Sequence, residues 1–455
     1  LIALTAPVAF VAAGVCAPAP ANAKAAVAKR AAAKGKVAAP KRARAKARRP
    51  SKPKPVAVDP AVVSAIRDEA GGEVKRFYAD RGYRPLWAVG QRIGPAADTL
   101  IGYLETADQD GLKPGRYDPD GLRELVSRGR GGSPAEVAKA EVELSRTFAR
   151  YVADQRRSDT RMIWADPSLK PAKLKPETVL RAAAFPDSFA DYMAQMAWMS
   201  PQYVRLRALA GRALQASNDS FERLLINLDR ARLLPGPFVR HIEVDASAGQ
   251  LWYYEAGRQV GTMRVVVGAA ETQTPMMAGK VQWAILNPYW NVPTYLARNK
   301  IAPKVLAGRS LASLNMEALT DWSAEARPLP QSAVDWQAVA AGTQEVRLRE
   351  LPGSANSMGR IKFLFPNEEG IYLHDTPNRD LLAKPDRHFS NGCIRLENAQ
   401  QLGRWLLQKP VPTNTKQREF AVPLPVQVPV YLTYLTATAT PAGLAFRPDV
   451  YGRDR

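Results

Sequence analysis

Cysteine and histidine are nearly absent: the 455 residues hold two Cys and three His. That scarcity excludes a disulfide framework and any metal centre built from repeated Cys or His pairs. Acid is absent from one whole stretch, residues 24–55, which carries thirteen Lys/Arg and accounts for much of the net charge of +21. With no apolar period, its Ala/Lys/Arg/Pro sequence (KRARAKARRPSKPKP) predicts a self-repelling, disordered linker rather than a folded nucleic-acid-binding module. The opening apolar run LIALTAPVAFVAAGVC is too short to cross a bilayer and leads to Ala21-Asn22-Ala23, the pattern of an export signal with its cleavage site. Cys16 also invites a lipidation reading, but Val15 stands where a small residue is expected. An exported chain has no access to nucleic acid, so the linker's available partners are anionic envelope surfaces.

What is present is a globular composition, 46% apolar and 8% aromatic, long enough for two domains. From Asp59 to about Pro237 apolar residues recur at intervals of three and four, as in Leu144, Phe148, Tyr151 and Val152, and clusters such as DQDGLKPGRYDPDGL break the pattern into helical hairpins. FERLLINLDRARLL (221–234) is a further amphipathic helix, which Pro235-Gly236-Pro237 ends. Beyond it the period falls to two: 241–268 reads as strands separated by Gly turns, with further strands expected at Val281 to Leu286, Arg360 to Phe365, Ile371 to Leu373 and Val426 to Thr438. Between Leu296 and Gly359 lies an insertion of mixed helical and loop character, a length that suits a lid or binding loop. The fold class is α+β. The divisions are a signal peptide at 1–23, the basic linker at 24–58, a helical domain at 59–237, a β-rich domain at 238–445 with its insertion at about 296–359, and a tail at 446–455.

Chemistry concentrates in GIYLHDTPNRDLLAKPDRHFSNGCIRLENAQQLGRWLL (370–407), which holds Cys393 and two of the three His. A thiolate nucleophile needs a base within reach and surroundings that favour its charge. His374 ends a predicted strand, and Cys393 follows Asn391-Gly392, where a small residue admits a substrate carbonyl close to backbone N–H groups able to form an oxyanion hole. A lone Cys is otherwise commonly an inert core thiol. His374, Asp375, His388 and Cys393 could also be read as zinc ligands, although their spacing fits no closed ligand pattern. His388 and His241 read as packing residues. Trp252, Tyr253 and Tyr254 read as core, whereas Trp283, Tyr289 and Trp290 have some claim on a substrate groove.

HDTP, followed sixteen residues after the His by SNGCIRL, resembles the signature of the L,D-transpeptidases with the YkuD-type catalytic domain. RFYADRGYRPLW, LINLDRARLLP, LNPYWNVP, GRIKFLFPN and PVYLTYLTA resemble the larger Gram-negative subfamily, so the likeness spans most of 60–455. It implies Cys393 as nucleophile and His374 as base, with Ser390, Gly392 and Arg395 around the thiol and Tyr372 near the oxyanion. Two features depart from the pattern. Asn391 stands where many members carry a second His, and only RLRALAGRALQASNDS lies between Tyr203 and Phe221, where a peptidoglycan-binding module is often inserted.

The resemblance further implies a periplasmic enzyme, expected to act as a monomer on peptidoglycan stem peptides, needing no metal or organic cofactor and sensitive to carbapenem-type β-lactams. Cys393 would attack a stem tetrapeptide, expel D-Ala and leave a thioester, which an amine resolves as a 3-3 cross-link. Water as acceptor would make an L,D-carboxypeptidase and a protein amine a protein-to-peptidoglycan ligase, through the same residues. A non-catalytic envelope scaffold is the alternative of another class.

Overall fold

The computed structural model describes residues 58–184, 188–323, 325–412 and 415–455. The export signal, Cys16 and nearly all of the basic linker lie outside the described residues. The helical part begins with α1 (Pro60–Glu69), whose N-cap Asp59 accepts from the Ala61 N–H at 2.7 Å, and continues through α2 (Ala96–Glu105) and α3 (Pro119–Gly131). Its axis is α4 (Pro134–Gln155), which starts with a Ser133/Glu136 capping box and Pro at its first turn. Buried Glu141 on α4 accepts from the Trp87 and Ala88 N–H groups and from Tyr78 Oη, fixing the 84–88 loop to the helix. Phe148, Tyr151 and Val152 face a core shared with α1, α2 and α3. Among the described residues no helix is long and apolar enough to cross a membrane.

Two later helices, α5 (Pro201–Arg207) and α6 (Asn218–Ala231), belong to a different core. Leu206, Leu224 and Leu228 pack with the residues of the sheet, so the helical part ends by building the floor of the β part. A short strand, β1 (Ile163–Trp164), leaves the helices early and pairs with Met277 and Ala278.

The sheet is formed by β2 (His241–Asp245), β3 (Gln250–Glu255), β4 (Arg258–Gly268) and β5 (Met277–Leu286) from the first half of the domain. From the second half come β10 (Ile361–Leu364), β11 (Leu373–His374), β12 (His388–Ser390), β13 (Ile394–Leu396) and β14 (Phe420–Thr433). The path runs β10-β11-β13-β4-β3-β2-β14-β5, and β10 pairs back onto β5, with Phe363 opposite Ala284, so the eight strands close on themselves. Alternation along β3 and β14 sends Leu251, Tyr253, Val428 and Val430 to the interior, where Val281 and Ala284 of β5 join them. Helix α7 (Ala399–Leu407) buries Leu402 and Leu406 in the same core.

Two features differ from the sequence expectation. The insertion is more than helix and loop: with β6 (Trp290–Val292) just ahead of it, its β7 (Met316–Leu319), β8 (Pro328–Leu329) and β9 (Arg347–Glu350) form a four-stranded sheet in the order β8-β7-β9-β6. Its own core includes Ile301, Val305, Trp336 and Leu348. The alternation in these strands is too short to be read from sequence, and their pairing is non-local. The last ten residues, expected as a tail, are structural: Tyr451 is 6% exposed and packs in the main core, while Asp454 pairs with Arg230 of α6 at 2.7 Å.

Candidate active site

Cys393 and His374 come from adjacent strands. β11 and β13 run parallel with Leu373 opposite Ile394 and His374 opposite Arg395. The Ile394 N–H donates to the Tyr372 carbonyl at 2.9 Å, so Cys393, one residue ahead of β13, lies beside the start of the strand that carries His374. His374 is 3% exposed and its Nδ1 is 2.6 Å from the Asp375 carbonyl oxygen. A carbonyl only accepts, so Nδ1 carries the proton and Nε2 keeps the lone pair. Cys393 is half-buried, and its thiol donates a long contact, 3.6 Å, to the Gly370 carbonyl.

Electrostatics keep this pair neutral at rest. Burial pushes the Cys393 thiol up to about 11, opposed by the Tyr372 backbone N–H and the Arg395 cation. Burial also holds the His374 imidazolium down to about 3, with the Arg395 and Lys362 cations adding to the effect. His374 is therefore a proton acceptor near neutral pH, and the thiol depends on it. Among the described residues Arg395 makes no ion pair; the group that supports its charge is the Cys393 thiolate. Lys362, by contrast, is held by Glu419 at 2.7 Å, with its ammonium 5.8 Å from the Tyr372 ring centre. At the start of the insertion, burial raises the Tyr295 phenol, and the Cys393 thiolate adds to the effect. Tyr295 also borders a hollow of about 490 Å³ lined by Arg298 and Gln344.

The loop before the thiol is tightly held. Ser390 Oγ donates to the Cys393 carbonyl at 2.6 Å and accepts from the Gly392 N–H at 3.2 Å. The Gly392 N–H, expected as an oxyanion donor, is thus already occupied; the Cys393 N–H has no partner among the described residues and remains available. Gly392 has φ +107, and a Cβ there would stand 3.1 Å from Ile371 Cδ1, so the turn requires glycine. Asn391 is exposed.

Sequence reasoning missed the brace beneath this loop. Thr274 Oγ1 donates to the Gly392 carbonyl at 2.7 Å and accepts from the Gly268 N–H at 2.9 Å, and Thr272 Oγ1 donates to the Ser390 carbonyl at 2.9 Å. Tyr451 Oη in turn donates to the Gly268 carbonyl at 2.6 Å. Nothing local marks these residues, since they meet the nucleophile loop only through the pairing of β12 with β4.

The other residues singled out lie elsewhere. His241 is buried and stacked on Tyr254 with ring centres 4.9 Å apart, and His388 contacts Asp386 at 2.5 Å and the edge of Tyr451. Tyr253 packs on Trp405 in the core. Trp290 packs against the insertion's core, and the Arg349 guanidinium lies 4.1 Å from the Tyr289 ring centre. Among the described residues no three His, Cys, Asp or Glu side chains gather closely enough to hold a metal.

Comparison with known proteins agrees with this architecture. Residues 239–428 match the L,D-transpeptidase catalytic domain and residues 72–209 match the Scaffold domain that accompanies it. A curated Haemophilus influenzae protein named "Putative L,D-transpeptidase" is 26% identical over 391 residues, covering 84% of this chain and 78% of the relative. Among solved structures, the L,D-transpeptidase from Mycobacterium smegmatis (12% identical, TM-score 0.21) covers 42% of this chain and 58% of its own. L,D-transpeptidase 3 from Mycobacterium tuberculosis (12% identical, TM-score 0.21) covers 43% and 60%. The chain thus spans about three fifths of these structures' length.

Proposed function

Since the chain belongs to the L,D-transpeptidase family, with a helical scaffold domain ahead of its catalytic domain, we propose that it is a cysteine-dependent peptidoglycan transpeptidase. The observation that carries this reading is the placement of Cys393 beside Tyr372 on the strand pair that also holds His374, with Nδ1 of the imidazole tied to a carbonyl and Nε2 left as acceptor.

His374 Nε2 takes the thiol proton as Sγ attacks the carbonyl carbon between the L-centre and the terminal D-Ala of a stem tetrapeptide. Negative charge moves from sulfur to the carbonyl oxygen, where the free Cys393 N–H stabilises it, and Arg395 supports the charge on sulfur as it forms and as it leaves. The C–N bond then breaks, the D-Ala nitrogen collects the proton held by His374, and a thioester remains. A side-chain amine of a second stem attacks that thioester, passes a proton to His374 and expels the thiolate, giving a 3-3 cross-link. Because the resting thiol is neutral, proton transfer and attack are coupled.

Transfer must outrun hydrolysis, and the insertion is assigned the role of cover: Tyr295 at its first turn feels the charge of the Cys393 thiolate, and the insertion's own hydrophobic core makes it a body able to exclude water. Incubating the full chain with a diaminopimelate tetrapeptide muropeptide, beside Cys393→Ala, and following products by mass spectrometry tests the reading. Cysteine-dependent dimers lacking one D-Ala are expected. Tripeptide alone would make the enzyme a carboxypeptidase, and turnover by both proteins or by neither would overturn the assignment.

A further inference from the structure

Away from the thiol, the C-terminal end of α4 and the segment 158–176 enclose a cleft of about 820 Å³. Six cationic side chains line it, Arg116, Arg150, Arg156, Arg157, Lys170 and Lys173, against three carboxylates. Arg116 is neutralised by Asp154 at 2.8 Å. Among the described residues the other five cations make no ion pair, and Arg156 is fixed by donation from Nη1 to the Leu234 carbonyl at 3.1 Å. Cations gathered around a cavity repel one another, an arrangement that an anionic occupant relieves. The two remaining carboxylates, Glu73 and Asp159, are likewise without an ion-pair partner among the described residues, so the cleft offers sites for amines as well. Ala149, Ala153, Leu174 and Trp164 supply apolar wall.

Shape narrows the ligand. A second hollow of about 270 Å³ shares Arg116, Asp154, Arg157 and Asp159 with the first, so the two form one groove. A groove with charge of both signs spread along it and apolar wall between suits an extended zwitterionic chain with excess carboxylate better than a compact phosphate. We infer that this groove binds a carboxylate-rich peptide of the wall polymer, a stem distinct from the one at Cys393; the inference rests on the transpeptidase reading for its choice of polymer. It gives a chain with only a short segment between Tyr203 and Phe221 a means of holding the wall. Its position also suits the reaction. Trp164 of β1 pairs with Ala278 of β5, four residues beyond the Thr274 that braces the nucleophile loop.

Retention on purified sacculi tests this, comparing the full chain with Arg150→Glu/Arg157→Glu and with Lys170→Ala/Lys173→Ala. All three proteins carry the same basic 24–55 segment, so the difference reads the groove. Retention is expected to fall at least about tenfold in the Arg double variant and less in the Lys one. Turnover of soluble tetrapeptide and the melting temperature should stay as in the parent, and blocking sacculus carboxylates by amidation should abolish the difference between proteins. Equal retention by all three proteins, or a difference that survives amidation, overturns the proposal. So does a loss seen on anionic phospholipid vesicles and not on sacculi. If the parent fails to turn over tetrapeptide but the retention pattern holds, the transpeptidase reading falls and the groove stands.

Discussion

His374 and Arg395 sit opposite each other across the parallel β11–β13 pair, so one fixed cation acts on both members of the proposed catalytic couple. It lowers the proton affinity of the imidazole and of the thiol together. Removing it with Arg395→Gln should raise both. The thiolate fraction at a given pH then falls, by about three- to tenfold for a shift of half to one unit. Alkylation of Cys393 by iodoacetamide measured against pH checks this. The parent rate should climb with pH toward a thiol of about 11, and the variant should be slower at every pH below that value. Equal rates would remove Arg395 from any role at sulfur.

Thr274 holds the Gly392 carbonyl and the Gly268 N–H with one hydroxyl. Thr274→Val leaves both backbone groups without that partner in a buried site, costing about 1–3 kcal/mol of stability. It should also lower kcat more than it raises KM, because the loop before the thiol loses its brace. Thr274→Ser, which keeps the hydroxyl, should restore kcat. If the Val variant loses only melting temperature, the brace supports the fold and not the nucleophile.

β6 and β9 are antiparallel neighbours with Val292 opposite Leu348. Residues 293–347 can therefore be replaced by an Asn-Gly turn that continues the same hairpin register. Without Tyr295 and the insertion's core, the ratio of hydrolysed to transferred product should rise, as read by mass spectrometry of the muropeptides. An unchanged ratio would mean that the insertion does not shield the thioester.

How much of this was legible in the sequence depends on the range of the interaction. The change of period near Pro237 marked the passage from helices to strands because burial of one face imposes period 3.6 or 2 on neighbouring residues. His374 and Cys393 stood out because their residue types are scarce. Thr272, Thr274 and Tyr451 did not, since common residues gain their significance only when β12 docks on β4. The same limit hid the insertion's sheet. It also led Asp449 to Asp454 to read as a tail, although they bind Tyr434, Arg223 and Arg230. Gly392 was legible as a site of close approach, but not that its N–H is taken by Ser390.

The β2 strand carries a carboxyl whose ionised form its position disfavours. Glu243 is fully buried, neither of its oxygens has a hydrogen-bond partner among the described residues, and burial together with the neighbouring Asp245 pushes it up to about 8. Its folded-state value lies above the unfolded one. Between about 4.5 and 8 the native state thus keeps a proton that the unfolded chain has released, and this group's contribution falls as pH rises through that window. His241 and His374, held down to about 4 and about 3 by burial, act oppositely below their unfolded values, so the whole protein's profile mixes opposed contributions. The Glu243→Gln variant isolates the carboxyl. Its melting temperature should approach the parent's at pH 5 and exceed it increasingly toward pH 8, because the amide has the shape of the protonated acid and never ionises. A difference between the two proteins that does not change with pH would show that Glu243 is charged in the native state, and that Gln202 and Arg205 compensate it there.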